Sequence, residues 1–396
     1  MAERFYKDAL NRIEQMTDRE KHRTRGGYYL FKQNYKLATE EYAALVKEHP
    51  KDMAGHTNLA LAYFMAYKME DAFQEGLRAI EIDPENLDYR YNQSWYALAS
   101  GNLDSATKEA RKTLQIDPSY AKAFVVLALT ELARNRSDEA MKIYRQLEVL
   151  GPLGASLSAS GLADLAIYEG RLNDALTILE KGIAADLAKN FNYRAADKSI
   201  MVAQTRLRQG KKVAAEKAAD QAIKANRREE ILFAAAQVYV EAGAGDKAQV
   251  IAQTLDKSIQ DIHQAYGKLI EGSMALKRGI PIQALKSFQD AQVTVDTWLG
   301  RFSLGRTYLE AGAFPEACSE FEKCEKRMGE TTSIFLNDLP SYRYLDEFYY
   351  YLGRAQEGHG GKNAARRSYQ KFLDLKSKAD KDDSLIADAR RRLNSL

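Results

Sequence analysis

The sequence predicts an all-α fold: a solenoid of about ten helix–turn–helix units with a capping helix at each end. Three observations carry that expectation. Pro50, Pro84, Pro118 and Pro152 recur thirty-four residues apart, and Ala38, Ala72, Ala106 and Ala140 keep the same period twelve residues ahead of them. Gly26, Ala60, Ser94 and Ala128 repeat it twelve residues further upstream; a fixed period of roughly 20 to 50 residues is the signature of a repeat array. Within a unit such as "GHTNLALAYFMAYKMEDAFQEGLRAIEIDP", apolar residues return at three- and four-residue steps, the pattern of two amphipathic helices.

In chain order, Ala2 to Met16 reads as one amphipathic capping helix within residues 1–18, and residues 19–154 as four regular units. In each, a small residue on the first helix faces an alanine on the second, where a larger side chain would overpack the contact. The proline then stops the second helix because it lacks an amide donor and its ring clashes with the preceding turn. Asp52, Asn86 and Ser119 follow as N-cap candidates. Residues 155–327 continue the frame less regularly, with a glycine five residues before an alanine: Gly170 and Ala175, Gly210 and Ala215, Gly243 and Ala248, Gly279 and Ala284, Gly312 and Ala317, then Gly360 and Ala365. The intervals between those alanines, 40, 33, 36, 33 and 48 residues, place two interruptions. One is Ala184 to Asp197, an extended helix; the other is the aromatic insertion 328–345. Residues 346–396 hold the last unit and a C-terminal capping helix, Asp382 to Leu396, a polar-faced end of the kind an array needs for solubility.

The small residue, Tyr29 or Tyr63, the alanine, Tyr42 or Tyr144, and the proline at these offsets resemble the tetratricopeptide repeat over residues 19–154. That resemblance implies a right-handed superhelical solenoid whose first helices line a concave groove for a protein or peptide ligand. The groove is expected to expose Arg23, Thr57, Asn58, Phe64, Tyr91, Asn92, Trp95 and Lys122. Asn58 and Asn92 share one offset in consecutive units, and a side-chain amide both donates to and accepts from a peptide backbone. Trp95 fits packing as well as binding. The later phrases "SASGLADLAIYEGR", "EKGIAADLA", "TWLGRFSLGRTYLEAGAFPEACSEFEKC" and "FLNDLPSYRYLDEFYYYLGRAQEG" resemble the long repeat regions of some bacterial serine/threonine protein kinases. This second resemblance implies the sensing or partner-binding part of a signalling protein, fused to a kinase domain, and an extracytoplasmic place if a membrane span separates the two.

Composition narrows the function. The 58 basic and 55 acidic residues balance to +3, too little for the electrostatic footprint of nucleic-acid binding. Cys318 and Cys324 form no disulfide framework, and neither phosphate-binding glycine loops nor paired metal ligands occur, so no cofactor or metal is expected. His22 and His56, one period apart, read as helix-surface residues, and no catalytic constellation surrounds them. The expectation is a non-enzymatic scaffold. Its rivals are an accessory of an enzyme such as a glycosyltransferase, with a pocket around Asp186, Arg194 and Asp197, or a cell-envelope assembly scaffold. With no apolar leader or spanning run, the chain taken as complete reads as cytoplasmic. The five tyrosines between Tyr342 and Tyr351 are expected to fill the core where the insertion folds back on the last unit.

Overall fold

The computed structural model describes residues 2–380 and 384–396, so Met1 of the N-terminal cap and positions 381–383 at the start of the C-terminal one lie outside the described residues. Among the described residues the secondary structure is helical throughout. Helix α1 (Ala2–Leu10) is followed by α2 (Asp18–Phe31), α3 (Tyr35–Glu48), α4 (Met53–Met65), α5 (Met69–Ile82), α6 (Leu87–Ala99), α7 (Leu103–Ile116) and α8 (Ala121–Ala133). Then come α9 (Ser137–Gln146), α10 (Gly151–Tyr168), α11 (Leu172–Ala188), α12 (Asn192–Arg208), α13 (Lys212–Ala225), α14 (Glu229–Ala242) and α15 (Gly245–Asp256). The rest are α16 (Asp261–Lys277), α17 (Pro281–Thr294), α18 (Trp298–Glu310), α19 (Phe314–Lys326), α20 (Phe348–Gly358), α21 (Lys362–Leu375) and α22 (Ser384–Ser395). From α2 to α21 the order is ten successive helix–turn–helix segments, an all-α repeat solenoid.

One register runs through all ten. The turn between the two helices of a segment always contains one residue with positive φ: Gln33, Tyr67, Gly101, Asn135, Gly170, Gly210, Gly243, Gly279, Gly312 and Gly360. Five residues after it stands an alanine, from Ala38 to Ala365, and all ten are fully buried. Seven residues before it stands a small residue: Gly26, Ala60, Ser94, Ala128, Ala163, Ala203, Ala236, Gly272, Gly305 and Gly353. The reason for small size is visible at the glycines. A Cβ on Gly272, Gly305 or Gly353 would lie 2.5, 2.6 or 2.8 Å from the ring of Phe288, Phe321 or Tyr369, each sixteen residues later. Gly26 meets Tyr42 in the same way, at 2.7 Å.

Local signals behave as their chemistry requires, with three differences. Asp52 and Asn86 accept the amides of Gly55 and Tyr89 and cap α4 and α6, whereas Ser119 bonds Asp117 and lies outside α8. The N-terminal segment is not one helix. α1 ends at Leu10, a 3-10 turn covers Ile13–Gln15, and Thr17 starts α2 with a capping box to Glu20. His56 is not a surface residue either, and His22 is half-buried. His56 is 4% exposed, with Nδ1 2.7 Å from the Glu75 carboxylate and Nε2 2.9 Å from the Pro50 carbonyl oxygen. It belongs to a ladder in which a basic residue pairs with a glutamate nineteen residues on: His22 with Glu41, His56 with Glu75, Arg90 with Glu109, and Arg301 with Glu320. Where this position is covered, as at His56 and Arg90, the glutamate supplies the hydrogen-bond partner that a polar group taken out of water needs.

The chain divides into two compact units, Met1–Ala133 and Arg134–Leu396. In the first, Ala38, Tyr42, Leu45, Leu59 and Ala62 form a core between α3 and α4. In the second, an alanine-rich core runs from Ala196 on α12 to Leu304 on α18. The Ala184–Asp197 interruption is not one extended helix: α11 is lengthened to Ala188, a turn with Asn190 at φ of 57° follows, and α12 starts at Asn192. There Lys198, wholly buried, donates to Asp186 at 2.7 Å and to Ser156 at 3.0 Å.

Candidate functional site

The register assigns each groove position. On the first helix of every segment, the residue after the small one and the residue four further on lie on one face, since they are one helical turn apart. In the second unit these positions read Asp164 and Tyr168, Gln204 and Arg208, Gln237 and Glu241, Ser273 and Lys277, Arg306 and Glu310, then Arg354 and Gly358. The first part of this row is already occupied, by the chain's own insertion.

That insertion leaves α19 through a 3-10 stretch, Met328–Ser333, and returns through another, Tyr342–Leu345. Between them the Ser341 hydroxyl donates to the Thr331 carbonyl and accepts from the Ile334 amide, 2.7 Å each, which pinches the segment into a loop. The loop lies across α10, α12 and α14. Asp164, fully buried on α10, accepts the Tyr342 amide at 2.8 Å, the Arg343 amide at 3.3 Å and the Arg343 guanidinium at 2.8 Å. Burial pushes the Asp164 carboxyl upward, and Arg343 with the two amides works against that rise. Gln204 accepts from Arg343 Nε at 2.8 Å and donates to the Tyr344 hydroxyl at 2.9 Å. Arg208 donates to the Arg343 carbonyl and pairs with Asp346. Tyr168 meets the Tyr342 ring edge-on at 5.1 Å, and Phe335 packs against Phe233 and Tyr266. A cavity of about 30 Å³ remains between the loop and α12 and α14, lined by Asp197, Glu230 and Arg343 among others. Burial pushes Asp197 up to about 6 against the pull of Arg228, whose guanidinium donates to it at 2.7 Å.

The expected burial of the tyrosines holds for Tyr342, Tyr349 and Tyr350, while Tyr344 and Tyr351 are half-buried. The place differs for the first two. Tyr342 and Tyr344 pack on helices α10, α12 and α14 rather than on the last segment, because Asp164 and Gln204 supply the partners their backbone and hydroxyl groups need. The far end of the unit is tied to the same region. The Asp380 amide donates to the Gly170 carbonyl, the Asn173 amide donates to Asp380, and Lys376 donates to the Tyr168 carbonyl at 2.8 Å.

In the first unit the expected groove residues fall on α2, α4, α6 and α8. Arg23 is half-exposed and bidentate to Asp52, which also takes Arg19; burial would raise that carboxyl, but Arg23, Arg19 and the Gly55 amide bring it down to about 2. Asn58 is half-buried beside the Tyr42 hydroxyl, and Asn92 is half-buried one period later. Phe64, Tyr91 and Trp95 are not exposed as expected: they are 7%, 6% and 6% accessible. Phe64 packs on Tyr96 with the rings tilted and 5.0 Å apart, and Trp95 Nε1 donates to the Tyr91 hydroxyl at 2.7 Å. Large rings bury against their neighbours whenever helix spacing allows. The structure brings Tyr91, Trp95 and Lys122 together with Tyr120: the Tyr91 and Tyr120 rings are 5.1 Å apart, and the Lys122 ammonium sits 5.7 Å over Tyr91. Arg23 and Phe64 are engaged elsewhere, with Asp52 and Tyr96. Tyr120, Asp164 and Gln204 are not among the residues the period nominates. Asp164 and Gln204 occupy the row that nominates Trp95, two and three segments later, once the irregular segments are counted from their positive-φ turns.

The family model for the tetratricopeptide repeat matches residues 23–86 and 91–155. A TPR repeat-containing thioredoxin of Arabidopsis thaliana is 40% identical over 65 residues, 16% of this chain and 10% of that protein. The small glutamine-rich tetratricopeptide repeat-containing protein 2 of Saccharomyces cerevisiae is 26% identical over 115 residues, 29% of this chain and 32% of its own length. The chain thus spans a third or less of these relatives. Among solved structures, a tetratricopeptide repeat protein from Parabacteroides merdae aligns with a TM-score of 0.39 at 14% identity, covering 73% of this chain and 98% of that one. Yeast Tom70 aligns at 0.38 and 11% identity, covering 93% and 94%. No helix among the described residues is long and apolar enough to cross a membrane. Over residues 23–86 and 91–155, about a third of its length, the chain is thus similar to the tetratricopeptide repeat family.

Proposed function

We propose that this chain is a non-catalytic scaffold that binds a protein or peptide along α2, α4, α6 and α8 of its first unit. The observation that carries the reading is the Tyr91, Trp95, Tyr120 and Lys122 cluster flanked by the half-buried amide Asn92, with Asn58 at the same offset one period earlier. Aromatic groups held rigidly beside a cation are the anchors on which interface affinity concentrates, and amides at one repeat offset suit the repeat of a peptide backbone. Arg23, half-exposed on α2, lies on the same series of first helices, whereas Phe64 is buried against Tyr96.

The test is binding to a random peptide array by the whole chain and by a variant carrying Asn58→Ala, Tyr91→Ala and Asn92→Ala. The variant is expected to lose at least about tenfold in affinity for any peptide the parent selects, as loss of central anchors does. Unchanged affinity would remove this groove from consideration. The finer reading is that the region serves a bacterial signalling protein of the serine/threonine kinase type, fused to or acting beside a kinase domain. It is supported by the phrases of the second unit given above, and a kinase domain in the same reading frame would establish it.

A further inference from the structure

We infer that the inner face of α10 and α12 is a second peptide-binding site, specific for an aromatic–Arg–aromatic segment, and that the chain fills it in cis with Tyr342, Arg343 and Tyr344. The contacts are those of sequence reading rather than of general packing. Asp164 takes two consecutive backbone amides and the guanidinium between the two rings. A fully buried carboxylate with three donors from one short segment holds both the segment's register and its basic side chain, and charge-assisted bonds of this kind are the strong ones. Gln204 reads two successive side chains with the two ends of one amide, Arg343 by its oxygen and Tyr344 by its nitrogen. Arg208 holds the carbonyl of the central residue, and Tyr168 offers a ring to the first aromatic.

All four reading residues occupy the groove row of the register, on two consecutive first helices. The reading set is therefore built on the array, whereas its occupant comes from the insertion between α19 and α20. A tethered ligand competes as if present at millimolar concentration, so a partner bearing the same tripeptide meets an occluded site until the segment is displaced. This inference stands apart from the groove of the first unit, whose residues the experiment below leaves intact.

The probe is a fluorescein-labelled peptide of residues 337–346, NDLPSYRYLD, followed by anisotropy against the whole chain. The variant Tyr342→Ala, Arg343→Ala, Tyr344→Ala vacates the site and is expected to bind the peptide saturably, at least about tenfold more tightly than the parent. Adding Asp164→Asn, or replacing the peptide's arginine by alanine, is expected to reverse that gain. Equal binding by parent and variant, or no binding by a variant that keeps its helical signal and cooperative melting, overturns the proposal. If the triple variant does not fold, Arg343→Ala alone takes its place with the same expected ranking. Failure of both to fold also overturns the proposal, because the segment would then be core rather than ligand.

Discussion

Gln33, exposed and with φ of 56°, occupies a turn position that glycine fills in seven of the ten segments. A left-handed conformation costs an L-residue about 1 to 2 kcal/mol, offset in part by the freedom glycine has in the unfolded chain. Gln33→Gly should therefore stabilise by up to about 1 kcal/mol, and Gly210→Ala, at φ of 73° with open space around it, should cost about 1 kcal/mol; thermal melting checks both. Asp197 supplies the pH prediction. Its folded-state pKa of about 6 lies above the usual carboxylate range, so the folded chain binds a proton that the unfolded chain releases near 4. Stability should consequently fall as pH rises from about 4 to about 6, and Asp197→Asn should flatten that slope in urea titrations at several pH values. Asp52 has the opposite sign. Held down to about 2, it contributes stability above about pH 4 that is lost as pH falls towards 2.

At the scale of the element, the contact between the two helices of a segment depends on one missing side chain. Gly272→Ala places a methyl group 2.5 Å from the Phe288 ring, which is fully buried between α16 and its neighbours and has little room to shift. Overpacking of this kind costs about 1 to 3 kcal/mol, and the same change at Gly245, which has open space around it, should cost less than half as much. A pair of equilibrium unfolding curves decides between them. The basic–Glu ladder shows what pattern alone misses at this scale. His22 and His56 share an offset that sequence periodicity assigns to the surface, yet each pairs with a glutamate nineteen residues on in the second helix, and His56 is buried there. Nothing local in "GHTNL" signals Glu75; the partner appears only when the two helices are set side by side.

For the molecule, the second unit is held by a loop and a terminus that reach far along the sequence. Asp164→Ala would leave the Arg343 guanidinium buried without its carboxylate, a loss of about 3 to 5 kcal/mol, and hydrogen exchange at residues 340–346 should rise well above that of the parent. An unprotected segment in the parent itself would contradict the packing described. Gly170 makes a similar point: its φ of 81° demands glycine, and so does Ala379, whose Cβ would lie 2.7 Å from any Cβ added there, for reasons separated by more than two hundred residues. What the sequence determined by itself was the all-α repeat frame, the small residues of the first four segments, the turn glycines of the last six and the ten alanines, because these depend on contacts between a helix and its immediate successor. The tertiary structure alone decided what lies across α10 and α12. Asp164, Gln204 and Tyr342 are up to 178 residues apart, and no periodic pattern encodes a contact that only the folding of the whole unit brings about.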